Sequence, residues 1–319
     1  MPRKRYLGLS LPVLIGVLVF FLALFSVSFI SGAIGRSILG DVGLPSWLTV
    51  PRPDPTLPAE VIFHLFGFPI TNTIVASWLT IIVLAGISYA ATHRMKLVPN
   101  RLQSLVESAF GWLLSFCQSV AGEENGRRFF PIVTTIFLFV IMNAWLSLLP
   151  GFGSILVAGS EGEPAHLLRG ANTDINMPLA LALVSFVFIE YWGIKSQGLR
   201  YLGKFFNMGQ FFRSIGQLSR GKFRAGVSGL FSGIVDIFVG ILEALSELVR
   251  IISFTFRLFG NMTAGEILLL IAIFLAPWVL ALPFYGLELL VGFVQALIFS
   301  GLTLVFVTIA VMPHEAETA

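Results

Sequence analysis

The sequence predicts an all-α membrane protein of about six membrane helices, the last two forming a long, steeply tilted hairpin, with further amphipathic helices lying at the membrane surface. Three observations predict it. Only 12% of the 319 residues are charged, against about 25% in a soluble domain, and the mean hydropathy is +0.90. Apolar runs long enough to cross a bilayer recur along the whole chain. The basic residues fall in alternate links between those runs, as the positive-inside rule requires.

The spans read from the apolar runs are 12–34, 72–92, 129–149, 176–194, 234–275 and 284–311. The N-terminus carries Arg3, Lys4 and Arg5. Link 93–128 carries Arg94, Lys96, Arg101, Arg127 and Arg128, and link 195–233 carries Lys195, Arg200, Lys204, Arg213, Arg220, Lys222 and Arg224. The other two links hold only Arg36, Arg52 and Arg169. Both termini are therefore expected inside. A basic start before an apolar run also describes a secretory signal; the run from Leu11 to Ile30 is long for one, which favours a retained helix. Four segments follow: 1–34, the first helix or signal anchor; 35–71, a proline-rich outside loop; 72–233, membrane helices with inside interfacial segments; and 234–319, the hairpin and tail.

Two inside links have amphipathic character. In 99–128, Leu102, Leu105, Val106, Ala109, Phe110, Leu113, Phe116, Cys117 and Val120 recur at helical spacing. In 195–233, Tyr201, Phe205, Phe206, Phe211 and Phe212 alternate with basic residues, which suits either a lipid contact or a partner contact. The run 234–275 would extend on the order of 60 Å as a helix, about twice the hydrocarbon thickness. Its neighbour across a proline-containing turn at 276–283 is also longer than one vertical crossing needs, so the pair reads as a tilted hairpin.

Ionisable groups inside a membrane are costly and mark functional sites by default. The fifth span holds Asp236, Glu243, Glu247, Arg250, Arg257 and Glu266. Glu243, Glu247, Arg250, Ser253, Arg257 and Asn261 form one stripe at three-to-four spacing, and Glu266 lies on the other side of the helix from Arg257. Glu247 and Arg250 also have the spacing of an internal ion pair. Glu288 and Gln295 share a face of the last helix. In an antiparallel hairpin turning at 276–277, Arg257 is level with Gln295, and Glu266 with Glu288. Two adjacent carboxyls in a low dielectric cannot easily both ionise, and joined by water they can relay protons.

Other polar groups are weaker signals. Asp174 and Asn176 either cap the fourth span or give outer water access to the site. Glu190 is expected at the interface, Asn143 in a bond to another helix, and Cys117 in packing. His64, His93, His166 and His314 lack ligand spacing, so no metal and no cofactor is expected. A self-contained secondary transporter or channel is the alternative class, but neither internal repeat nor broken helix pair is visible. An intramembrane enzyme would need a nucleophile or metal set that the sequence does not offer.

The run Ser253-Phe-Thr-Phe-Arg257-Leu-Phe-Gly-Asn261-Met-Thr-Ala-Gly-Glu266 resembles the signature of subunit a of rotary, F-type ATP synthases. Val294-Gln295-Ala296 with Phe299, Phe137-Leu-Phe with Asn143 and Leu149-Pro150, Thr173-Asp-Ile-Asn176, and Pro99-Asn-Arg-Leu-Gln with Glu107 extend the resemblance over roughly 60–312. It implies a proton-translocating subunit with no bond chemistry of its own, in a bacterial cell membrane. Its implied partners are a ring of c subunits, peripheral-stalk b subunits and the rest of the synthase. By position, Arg257 would face a ring carboxylate. Asn261, Glu266, Glu288 and Gln295 would line the outer half-channel, and Ser253 with Asp236, Glu243 or Glu247 would border the inner one. Some members carry histidine where this chain has Glu288, and the first span and the long basic segment exceed a minimal member.

Overall fold

The computed structural model describes residues 5–6, 9–40, 43, 45, 48–53, 58–159, 162–205, 213–215 and 223–312. Phe206, Phe211, Phe212, Arg220 and Lys222 of the basic segment, and His314 in the tail, lie outside them. The helices are α1 (Leu11–Ser31), α2 (Ala33–Leu39), α3 (Asn72–Thr92), α4 (Arg101–Ala121), α5 (Glu123–Ser147), α6 (Asn176–Gln197), α7 (Phe223–Leu275) and α8 (Leu282–Val311). Among the described residues, six helices are long and apolar enough to cross a membrane: α1, α3, α5, α6, α7 and α8. Each predicted span therefore has its helix. α7 is one continuous helix of 53 residues, about 80 Å long at 1.5 Å per residue. A helix of that length must tilt steeply if most of it is to remain in a bilayer about 30 Å thick.

The chain forms two compact units. The first comprises Met1–Ala76, Ala144–Asp174 and Gly260–Val294. In it the end of α1 lies against the turn between α7 and α8. The Ser28 hydroxyl donates to the Pro277 carbonyl. The Leu275 carbonyl occupies the space that a Cβ on Gly32 would fill, so only glycine allows this approach. The link 35–71, expected as an ordered outside loop without long helices, contains a short hairpin. Val61–Leu65 pairs antiparallel with Phe68–Thr71 around Phe66 and Gly67, both at positive φ, as a two-residue primed turn demands. A second small hairpin pairs Leu156–Ala158 with Pro164–His166. Period-two patterning is too short in either for the sequence to reveal them.

The second unit comprises Ser77–Asn143, Ile175–Phe259 and Gln295–Ala319. Its core joins Cys117 and Ala121 of α4, Phe129 and Val133 of α5, Ile189 of α6, Tyr201, and Leu304, Val307 and Ala310 of α8. Phe129 meets Trp192 edge-on at 5.2 Å. The amphipathic helix expected in 99–128 is α4; Leu113, Cys117 and Ala121 of its second half are buried, while Leu102 and Leu105 near its start are exposed and Gln103 between them is buried. Asn143 bonds another helix as anticipated, donating to Thr80 Oγ1 at 3.1 Å. Ser185 and Thr303 share a buried hydrogen bond of 2.8 Å.

Burial pushes the Cys117 thiol up to about 11. The thiol therefore stays protonated at pH 8, and thiolate is the reactive form. Folded protein in detergent is expected to resist N-ethylmaleimide at pH 8 and to react once denatured; rapid labelling of the folded protein would contradict this packing. A Gly32→Val substitution forces α1 away from the Leu275 carbonyl and should cost about 1–3 kcal/mol, read as a lower midpoint of thermal unfolding.

Candidate functional site

Three groups of polar residues stand out, and each lies within one unit. In the first unit, Glu266 projects from α7 toward Arg169, 97 residues earlier in the chain. Arg169 Nε donates to both carboxylate oxygens, at 3.1 and 3.2 Å. Its Nη2 donates to Oε2 at 3.0 Å, and its Nη1 to the Pro58 carbonyl at 3.2 Å. The Arg169 side chain is 10% exposed and that of Glu266 32%. Glu288 on α8 is buried. Its carboxylate fills the space that a Cβ on Gly265 would take, so Glu288 is level with the residue beside Glu266, as the hairpin register predicts. The basic partner of Glu266 is the feature sequence reasoning missed. Arg169 was visible only as one of three cations in links otherwise poor in them.

Asn261 is exposed. Asp174 accepts a hydrogen bond from Thr73 Oγ1 at 3.1 Å. Helix α6 begins at Asn176, with Ile175 in the cap position and no side-chain bond from it. Neither Asp174 nor Asn176, the two cap candidates, occupies the cap position itself. The chain enters α6 through a short 3-10 turn at Ala171–Thr173, which leaves an apolar residue at the cap.

In the second unit, Arg257 lies within α7 and is half-buried. Phe254 and Leu258 beside it are buried, Phe254 packing on Phe299 and Phe306 of α8 with ring centroids 5.1 and 5.9 Å away. Ser253 is exposed and Gln295 is buried. Among the described residues Arg257 has no ion-pair or hydrogen-bond partner.

The same unit holds a cavity of about 320 Å³ whose lining includes Asp236, Glu243, Glu247, Arg250, Lys204 and Tyr201. Asp236, Glu243 and Glu247, the acids that the resemblance groups together, all line it. Glu247 is buried and accepts from Arg250 Nη1 at 2.6 Å and Lys204 Nζ at 3.2 Å. The Glu247–Arg250 spacing therefore does mark an ion pair. Lys204 also donates to Tyr201 Oη at 2.6 Å, and Tyr201 donates to Glu190 at 3.1 Å. Glu190, expected at the interface, is part of this network. Burial pushes the Tyr201 hydroxyl up. Burial alone would lower the affinity of Lys204 for its proton, but the Tyr201 hydroxyl and the Glu247 carboxylate outweigh it and raise its pKa. Asp236 Oδ2 is buried without a hydrogen-bond partner. The guanidinium of Arg250 lies over the Phe306 ring at 3.9 Å.

The family described as ATP synthase A chain matches residues 74–308. The chain belongs to that family. A protein named ATP synthase subunit a from Gloeobacter violaceus is 31% identical over 244 residues, covering 76% of this chain and 85% of the relative. Another of that name from Geobacter sp. strain M21 is 31% identical over 248 residues, covering 77% and 91%. Membership in the ATP synthase A chain family makes this an integral membrane subunit of the F-type ATP synthase complex. The matched region includes Arg257, Glu266, Glu288 and Gln295.

Lys204 is the cation that Glu190 and Glu247 share. Lys204→Met should destabilise the complex by about 1–3 kcal/mol, since it strips buried acceptors of a charged donor. Glu190→Gln in that background should recover part of the loss in thermal midpoint; no recovery would contradict the network.

Proposed function

We propose that this stator subunit forms two offset proton half-channels against a rotating ring of c subunits, with Arg257 facing the ring carboxylate. The observation that carries the reading is Arg257 itself. It is a permanent cation inside a membrane helix, without a partner among the described residues. A charge in that setting is expensive unless a counter-charge comes from elsewhere. A carboxylate on a neighbouring chain supplies one.

The outer half-channel would use Asn261, Glu266, Glu288 and Gln295, with access past Asp174 and Asn176. The inner one would use the cavity bordered by Asp236, Glu243 and Glu247, with Ser253 near its ring end. A proton arriving from outside neutralises a ring carboxylate, and the neutral site can then pass through lipid at low cost. On the inner side the site loses its proton, and Arg257 attracts the carboxylate and blocks a direct leak between the paths. The hairpin 234–319 is then the proton-channel segment, with both termini on the inner side of a bacterial cell membrane and b subunits holding the subunit still. No bond chemistry falls to this chain; rotation drives ATP synthesis in the catalytic head.

The test is ATP-driven proton pumping in inverted vesicles containing the assembled complex. Arg257→Ala should abolish coupled pumping while assembly and copurification stay intact. Undiminished pumping would remove Arg257 from the mechanism and favour a self-contained transporter. Gly265→Ala should displace the Glu288 carboxylate and reduce pumping by about tenfold or more, the scale of a misplaced reacting group; wild-type pumping would remove that contact from the path.

A further inference from the structure

We propose that Arg169 is a positioning residue of the outer path: it immobilises Glu266 at the mouth, so that the transferable proton is carried by Glu288. The inference rests on the outer half-channel reading above and divides labour between its two carboxyls.

The geometry of the clamp is specific. A guanidinium presents donors in a rigid fork, and a two-oxygen grip fixes a carboxylate in orientation as well as position. Arg169 engages both oxygens of Glu266. Its remaining terminal nitrogen is tied to the Pro58 carbonyl. The surrounding segments are pinned as well. The His166 backbone N–H donates to Glu60 Oε2 at 2.7 Å, and the Asn72 N–H donates to the Glu60 carbonyl at 3.0 Å. One arginine therefore joins both loops of the predicted outer side to the hairpin.

Glu288 is in the opposite situation. It is 6% exposed, its carboxylate abuts Gly265, and no cation of the described residues pairs with it. Of the charged or titratable groups around the clamp, Arg169 faces Glu266, Glu60 takes the His166 amide, and His166 Nδ1 is 2.6 Å from the Gly153 carbonyl. None of these is bonded to Glu288. A buried carboxyl with no counter-ion suits a group that alternates between neutral and charged as protons pass. A proton from outer water adds to one Glu288 oxygen, and the same oxygen releases it through intervening water to the ring carboxylate. Glu266 keeps both oxygens on the guanidinium throughout.

The experiment uses the complete synthase reconstituted in liposomes, with ATP-driven proton pumping measured for Glu288→Gln, Glu266→Gln, Arg169→Gln, the Arg169→Gln/Glu266→Gln double variant and Arg169→Lys. Glu288→Gln should lose about tenfold or more, and Glu266→Gln only a few-fold. Arg169→Gln, which leaves a loose carboxylate at the mouth, should be worse than Glu266→Gln. The double variant should return to the Glu266→Gln level, a coupling of about threefold or more in rate. Arg169→Lys should be intermediate, because an ammonium keeps the charge and loses the fork. If Arg169→Gln does not assemble, the double variant restoring assembly supports the clamp and its failure overturns it. Additive losses, or Glu266→Gln as damaging as Glu288→Gln, would overturn the clamp while leaving the outer path in place. Wild-type pumping by all of these variants would remove the outer path itself.

Discussion

Hydrocarbon penalises charge, and the helices of this chain carry more charge than a membrane tolerates without compensation. Several of the ionisable groups within the spans are compensated inside the chain. Glu247 has Arg250 and Lys204, Glu190 has Lys204, and Glu266 has Arg169. Asp236, Glu243, Arg257 and Glu288 have no ion pair among the described residues. Pairing stabilises and immobilises a group. Its absence leaves a group able to gain a proton, lose one, or await a counter-charge from another chain. The unpaired set holds three acids and one arginine, a composition that suits the proton transfer proposed above.

The two sides of that division lie on long uninterrupted helices. A carboxyl placed on a helix packed against another is held more firmly than one on a loop. The hairpin register brings Glu288 to Gly265 in the first unit and Phe254 to Phe299 in the second. Both contacts agree with a turn at the same place. Glycine at 265 is then a requirement of the carboxyl opposite, because any side chain there would occupy its position.

Much of this was legible in the sequence. The spans followed from hydropathy, and the hairpin register from residue numbers alone, since an antiparallel pair fixes which residues are level. Asp236, Glu243 and Glu247, grouped by the family resemblance, line one cavity. The countercharges were not legible. Arg169 and Lys204 sit in links, far in sequence from Glu266 and Glu247, and helical spacing says nothing about loop cations. The small hairpins escaped for a related reason: four or five residues around Gly67 carry no periodic signal. The cap position of α6 falls to Ile175, and Asp174 takes a hydrogen bond from Thr73.

The central claim is that the counter-charge of Arg257 belongs to a subunit of the ring. Site-directed disulfide formation tests it most directly: cysteine at 257 in this chain, paired with cysteine at the ring carboxylate position, in the assembled complex under mild oxidation. The account predicts a cross-linked product of one ring subunit and this chain that reductant separates. Efficient assembly with no cross-link at that position, while neighbouring positions on the ring do cross-link, would contradict it.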